Sequence, residues 1–214
     1  MLIEILYILL SYAIGSILGG YIIAIFVCKE GFAQHDLPGG AGAGRQISLW
    51  AGILTVLIDA LKGSIIIILG KYLELDLTIV VLGALAGIVG HNWPIFFKFR
   101  GGGGLAIAMG ISACLLPREF ILAFPLAIIG GYTYSHTLKS KVKISPHPLG
   151  GGMGILALLI SSIYFQEAQE LILLVLGIGS LSLVKIAAWK INIHKRDKLL
   201  TNIKKGGDNN VRYN

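Results

Sequence analysis

The stretch Leu54-Thr55-Val56-Leu57-Ile58-Asp59-Ala60-Leu61-Lys62-Gly63-Ser64-Ile65-Ile66-Ile67-Ile68-Leu69 decides the class of this protein. It sits in an apolar run from Ile47 to Leu69, long enough for the roughly 20 residues that a spanning helix needs. Its two charges are three residues apart, so a helix puts them on one face. Ionisable residues inside a span face its interior and often carry function. A buried structural ion pair is the plainer alternative.

Outward from this run, six further apolar stretches lie near Leu2–Val27, Leu77–Phe97, Leu105–Leu116, Phe120–Leu138, Leu149–Phe165 and Leu171–Trp189. The chain has 214 residues, 55% hydrophobic and 14% charged, with a mean hydropathy of +0.80. Soluble domains carry about 25% charged residues, so a cytosolic globular protein is excluded. The expected fold is all-α: a polytopic integral membrane protein with about seven transmembrane helices. The fourth stretch is too short to span unless the glycines before it join the helix. Glu4 in place of a basic start, and the length of the first stretch, argue against a signal peptide.

Charge sets the orientation. Fourteen Lys and Arg residues fall after spans one, three, five and seven, while Lys71 and Arg118 alone fall in the opposite loops. By the positive-inside rule the N-terminus lies outside and the C-terminus in the cytoplasm. The alternation requires an odd number of spans. The net charge of +7 therefore reads as a membrane signature, with the tail drawn to anionic lipid. Nucleic acid is a poor partner, since the basic residues lack interleaved aromatics beyond Tyr213. We expect one transmembrane domain over 1–190 and a basic cytoplasmic tail over 191–214. No internal repeat is evident, which disfavours an inverted-repeat transporter. Cys28 and Cys114 lie far apart and suggest neither a disulfide nor a metal cluster.

The long glycine-rich connections all lie on the cytoplasmic side. Gly39-Gly40-Ala41-Gly42-Ala43-Gly44-Arg45 is one, Pro148-Leu149-Gly150-Gly151-Gly152 another. The third, Gly90-His91-Asn92-Trp93-Pro94-Ile95-Phe96-Phe97-Lys98-Phe99-Arg100-Gly101-Gly102-Gly103-Gly104, ends in four glycines beside two cations. If Gly101–Gly104 open the fourth helix, backbone amides and the helix N-terminus form a phosphate cradle. Close helix packing is the alternative use of such glycines. Pro94 is expected to end or bend the third span. His91 can serve there as a general base or as an interfacial cap. His35, His136, His147 and His194 lack metal-ligand spacing, so no metal site is expected. No His-x4-Asp pair, Walker loop, nucleophile elbow or His-Glu-x-x-His is found.

The segment from Gly90 to Gly102 resembles the bacterial acyl-phosphate:glycerol-3-phosphate acyltransferases of the PlsY type, in which Gly-His-x-x-Pro-x-Phe leads into Gly-Gly-Lys-Gly. Leu57-Ile58-Asp59-Ala60-Leu61-Lys62-Gly63 is similar to the family's Leu-Leu-Asp-x-Leu-Lys-Gly, and Gly15-Ser16-Ile17 with Gly20–Ala24 resembles its first helix. These features follow family order over about the first half of the chain. There are departures. Gly103 stands where the family loop has lysine. The family's Gly-Ser-Gly-Asn-Ile-Gly-Ala-Thr-Asn falls at Gln34–Gly42, where the arginine that follows, Arg45, is the clear match. His194, Asn202 and Ile203 do not have the spacing of the family's His-x-x-Asn-Ile-x-Arg motif.

The resemblance implies acyl transfer from an acyl phosphate to the hydroxyl of glycerol-3-phosphate, giving lysophosphatidate and phosphate in phospholipid synthesis. Neither cofactor, CoA nor acyl carrier protein is then needed. The expected partners are these two substrates and membrane lipid, with no obligate protein partner, in the bacterial inner membrane. His91 and Asp59 are the expected catalytic pair, orienting or deprotonating the hydroxyl. Gly101, Gly102, Gly103 and Gly104 with Lys98 or Arg100 would hold one phosphate. Arg45 would hold the other, being a bidentate phosphate partner. Lys62 and Asn92 complete the expected phosphate-binding set. Losing the loop lysine removes a charge-assisted hydrogen bond worth about 1.5–3 kcal/mol. The competing readings are a repurposed relative that binds a phosphorylated lipid or metabolite, and a small transporter using Asp59, Lys62 and helix breaks.

Overall fold

The computed structural model describes residues 1–27, 30–33, 36–133 and 146–208, without the side chains of 146–149 and 193–208. Cys28, Lys29, His35, the lysines at 139, 141 and 143, and the side chains of His136, His147, His194 and the basic tail past residue 192 lie outside the described residues. Those described form nine α-helices and no strand. They are α1 (Leu2–Ser16), α2 (Gly19–Phe26), α3 (Gly40–Gln46), α4 (Leu49–Tyr72), α5 (Leu77–Asn92), α6 (Leu105–Leu115), α7 (Pro117–Thr133), α8 (Pro146–Tyr164) and α9 (Gln169–Asp208).

Leu49–Tyr72, Leu77–Phe97 and Gln169–Asn192 are long and apolar enough to cross a bilayer, and α1 with α2 adds a fourth if that pair, bent by 40°, is one span. Leu105–Leu115 and Gly150–Tyr164 are apolar but shorter. The glycines before the fourth stretch do not join its helix: α6 starts at Leu105, after Gly104 in a left-handed conformation (φ 83°). α9 continues without a break past residue 190 to Asp208.

α1 packs on α5, α4 on α6 and α7 on α8, with α9 laid across α5 and α8. Lipid tails are as apolar as leucine, so such pairs are held by close packing rather than by hydrophobic exclusion. Glycine supplies that closeness. Gly15 lies against the backbone of Gly87, and Gly110 against the carbonyl of Ala60, so tightly that a Cβ at either would overlap it. Tyr7 Oη donates to the Ile66 carbonyl at 3.0 Å and ties α1 to α4. The outer faces carry exposed Leu, Ile and Phe side chains, as a lipid-facing surface requires.

Two breaks position the interior. The first apolar stretch is interrupted at Ile17 and Leu18, both extended. Lys62 Nζ donates to the Gly15 and Ile17 carbonyls at 2.9 and 2.6 Å, which satisfies the backbone freed there. Unwound backbone within a bilayer needs such a partner. The second break follows Pro94, which cannot continue α5. A single 3-10 turn (Ile95–Phe97) follows, and then Lys98 and Phe99 with positive φ. Tyr12 Oη donates to the Trp93 carbonyl and Tyr21 stacks on Phe97, pinning this turn to α1 and α2. Gly102 N–H then donates back to the His91 carbonyl at 3.1 Å. The glycine segment is thus folded under the end of α5.

Candidate active site

Asp59 and Lys62, one turn apart on α4, form an ion pair at 3.0 Å, with the carboxylate fully buried. Its Oδ1 also accepts from Gly19 N–H at 3.3 Å. Oδ2 has no hydrogen-bond partner among the described residues. From α5, His91 brings Nδ1 to 3.0 Å from Lys62 Nζ and 3.7 Å from Asp59 Oδ1. An ammonium group only donates, so Nδ1 is the acceptor and the ring proton sits on Nε2. That edge faces Gly102, where a Cβ would overlap the ring. Lys62 is surrounded by four acceptors and does not line the cavity beside it.

This cavity encloses about 870 Å³. Its polar end is formed by Asp36, Arg45, Asp59, His91, Gly103 and Gly104. The rest runs along α6 between α4 on one side and α7, α8 and α9 on the other, past Met109, Phe124, Ile155 and Leu158. An apolar groove closed by a few convergent polar groups suits a small-molecule substrate with an apolar tail. Ser112 Oγ, deeper in the groove, is buried and has no partner among the described residues.

The sequence-derived candidates divide between cavity and surface. Gly103, Gly104, Leu105 and Ala106 line the polar end. Gly104 caps α6 without a side-chain bond, and Leu105 and Ala106, whose amides have no intrahelical acceptor, stand at the groove. Gly101 and Gly102 lie behind it, packed on α5, and the Gly102 amide is already used. Gly103 has open space, its nearest neighbour for a Cβ being Leu37 Cδ1 at 4.0 Å. Arg45 lies at the rim, 46% exposed, with its Nη2 2.7 Å from Asp36 Oδ2. Lys98 and Arg100 are exposed and outside the cavity lining.

Asn92 joins α9 to the loop. Its Nδ2 donates to the Leu181 carbonyl at 3.3 Å. Its Oδ1 has no partner among the described residues and lies 2.9 Å from where a Cβ on Gly104 would be. Its main-chain carbonyl accepts from Lys185 Nζ. Lys185 is the residue that sequence reasoning missed. The signal was present: a lysine within the apolar run that ends at Trp189.

Comparison with known proteins follows the same lines. A family model described as glycerol-3-phosphate acyltransferase matches residues 5–196. The glycerol-3-phosphate acyltransferase of Halalkalibacterium halodurans is 37% identical over 123 residues, covering 55% of this chain and 59% of that protein. That of Endomicrobium trichonymphae is 30% identical over 184 residues, covering 83% of this chain and 85% of that protein. The match thus spans less than two thirds of the first relative and most of the second. A crystal structure of PlsY, an integral membrane glycerol 3-phosphate acyltransferase, in its glycerol 3-phosphate form, superimposes with a TM-score of 0.73 at 21% identity, covering 93% of this chain and 92% of that one. The lysophosphatidic acid form gives a TM-score of 0.72 at 22% identity, with the same coverage. At that identity, the likeness is one of fold.

Proposed function

The chain belongs to the glycerol-3-phosphate acyltransferase family, and on that premise we propose that it moves a fatty acyl group from an acyl phosphate to the hydroxyl of glycerol-3-phosphate, forming lysophosphatidate in phospholipid synthesis. One observation carries this reading: a single groove joins an end lined by Asp36, Arg45, Asp59, His91 and the start of α6 to a long apolar lining. The donor needs such a groove, with its phosphoryl group at one end and its acyl chain along the other.

It is a helical integral membrane protein. The finer topology belongs to the proposal: seven crossings, the fourth made by the short α6 together with the non-helical glycine segment before it, N-terminus outside, a transmembrane domain over 1–190 and a basic extension over 191–214 on the cytoplasmic side of the bacterial inner membrane. The fourteen-to-two split of basic residues supports it.

In the reaction, the acyl chain lies along α6 and the acyl phosphate's phosphoryl group meets the free amides of α6 beside Gly103 and Gly104. Arg45 takes the phosphate of glycerol-3-phosphate, exchanging Asp36 for a more highly charged partner. The glycerol hydroxyl donates to Asp59 Oδ2, the unpartnered acceptor at that end. Its oxygen forms a bond to the acyl carbonyl carbon while the bond from that carbon to the phosphate oxygen breaks. The hydroxyl proton leaves toward Asp59 or the departing phosphate. His91, with its lone pair turned to Lys62, holds that ammonium beside Asp59 and backs the glycine loop rather than acting as the base. Lys98 and Arg100, at the surface, contribute to the local positive field.

The deciding assay supplies the purified, detergent-solubilised protein with palmitoyl phosphate and glycerol-3-phosphate, with palmitoyl-CoA as control donor. Lysophosphatidate is expected from acyl phosphate alone; well-folded protein that makes none would point to a repurposed binding protein.

Arg45→Ala gives a finer check. An exposed ion pair contributes about 0–1 kcal/mol, so folding should hold. The KM for glycerol-3-phosphate is expected to rise about 10–100-fold, the loss of one charge-assisted pair, with the KM for palmitoyl phosphate little changed. Loss of folded protein in step with activity would remove Arg45 from the site.

A further inference from the structure

Lys185 on α9 is a buried cation, 7% exposed, with no carboxylate partner among the described residues. Every other strongly buried charge described has an ionic neighbour. Lys62 has Asp59 at 3.0 Å, and Glu119 has Arg118 at 3.1 Å. Lys185 instead donates to the Asn92 carbonyl, at the buried C-terminal end of the α5 helix dipole, and its Nζ lies 5.4 Å from the Trp93 ring centroid. An unpaired charge in an apolar surround is costly. A structural cap alone would be met by a neutral donor.

What lies on the far side of that carbonyl is the glycine loop. A Cβ on Gly101 would overlap the carbonyls of His91 and Asn92. Asn92 Oδ1 abuts Gly104, the cap of α6. Lys185 therefore stands directly behind the loop whose open side faces the groove. The loop places no cation of its own in the groove, whose lining cations among the described residues are Arg45 at the rim and Lys190 on α9: Gly103 occupies the loop's open position, Lys98 and Arg100 lie outside, and Lys62 is ion-paired.

We propose that Lys185 is a positioning residue that sets an uncompensated positive charge behind Asn92 and the glycine loop, and that this charge stabilises the phosphoryl group bound at the N-terminus of α6. The inference rests on the acyl-transfer reading above. It acts through the Asn92 carbonyl and the field across the loop. The phosphate it serves is that of the acyl phosphate, and then the leaving phosphate, not that of glycerol-3-phosphate at Arg45.

The test uses the full chain in phosphatidylcholine nanodiscs, with variants Lys185→Gln, Lys185→Arg and Lys185→Gln combined with Gly103→Lys. Glutamine keeps a donor for Asn92 and removes the charge; the lysine at position 103 enters open space on the groove side. Lys185→Gln is expected to raise the KM for palmitoyl phosphate and the inhibition constant of inorganic phosphate together, by about tenfold. The KM for glycerol-3-phosphate should stay within about twofold. Lys185→Arg should stay close to wild type, and Gly103→Lys should rescue the glutamine variant. Equal effects on both substrates, or a lowered melting temperature with unchanged phosphate inhibition, would overturn the proposal and leave Lys185 a structural cap. Calorimetric titration with inorganic phosphate separates the two readings. A wild type that binds phosphate but makes no lysophosphatidate sinks acyl transfer, and Lys185 then stands or falls on whether Lys185→Gln weakens that binding. A wild type that neither binds nor turns over sinks both.

Discussion

Asp59→Ala and Lys62→Met should each destabilise the protein by about 3–5 kcal/mol, the cost of leaving one charge of a buried pair without its partner. The geometry makes the losses unequal in kind. Without Asp59, the Lys62 ammonium keeps the Gly15 and Ile17 carbonyls but holds an unmatched charge. Without Lys62, the carboxylate is unmatched and the unwound turn between α1 and α2 loses its donor as well. Lys62→Met should therefore be the more damaging. The double variant Asp59→Leu with Lys62→Met removes both charges and should be less damaged than the sum of the singles, by at least about 2 kcal/mol. Reversible unfolding in mixed micelles would measure the cycle. Strict additivity would mean that the pair is not the interior anchor. Transfer activity separates from stability here, because Asp59→Asn keeps the shape and an acceptor for Gly19 yet lacks the carboxylate. It should lose most turnover at a temperature where it remains folded.

That pair also shows where a sequence can be read and where it cannot. Asp59 and Lys62 are three residues apart, so their shared face follows from helical geometry alone. His91 beside them is 29 positions from Lys62, a distance only the packing of α4 on α5 supplies. The break after Ser16 is likewise invisible in the sequence, since Ile17 and Leu18 have no reason of their own to leave a helix. It exists because a lysine on another element takes two carbonyls there. The glycine run before α6 was legible as a loop with anion chemistry. Which of its amides remained free was not, because Gly102 spends its own on the His91 carbonyl. Arg45 was legible as a cation, whereas its partner Asp36 depended on how the loop before α3 turned back. Lys185 could have been found from the rule applied to Asp59 and Lys62, that an ionisable residue within a span asks for an explanation.

Met109→Trp should cut kcat/KM for palmitoyl phosphate by about 100-fold or more, while use of butyryl phosphate remains within a few-fold of wild type. Met109 lines the groove on α6 and is half-buried, so its side chain has space in front of it that an indole would fill. It lies five residues past Gly104, roughly 7.5 Å along the helix at 1.5 Å per residue. A short acyl chain seated at the phosphate end stops before that point and a long one must pass it. Overpacking costs about 1–3 kcal/mol, which the short donor controls for: a misfolded variant would lose both activities together. Equal loss on both donors in folded protein would place the acyl chain elsewhere, outside the cleft between α4 and α7. Selective loss would mean that the same groove whose polar end gathers Asp59, Arg45 and the start of α6 also measures the chain, so that phosphate recognition and chain length are read from the first turn and the middle of one helix.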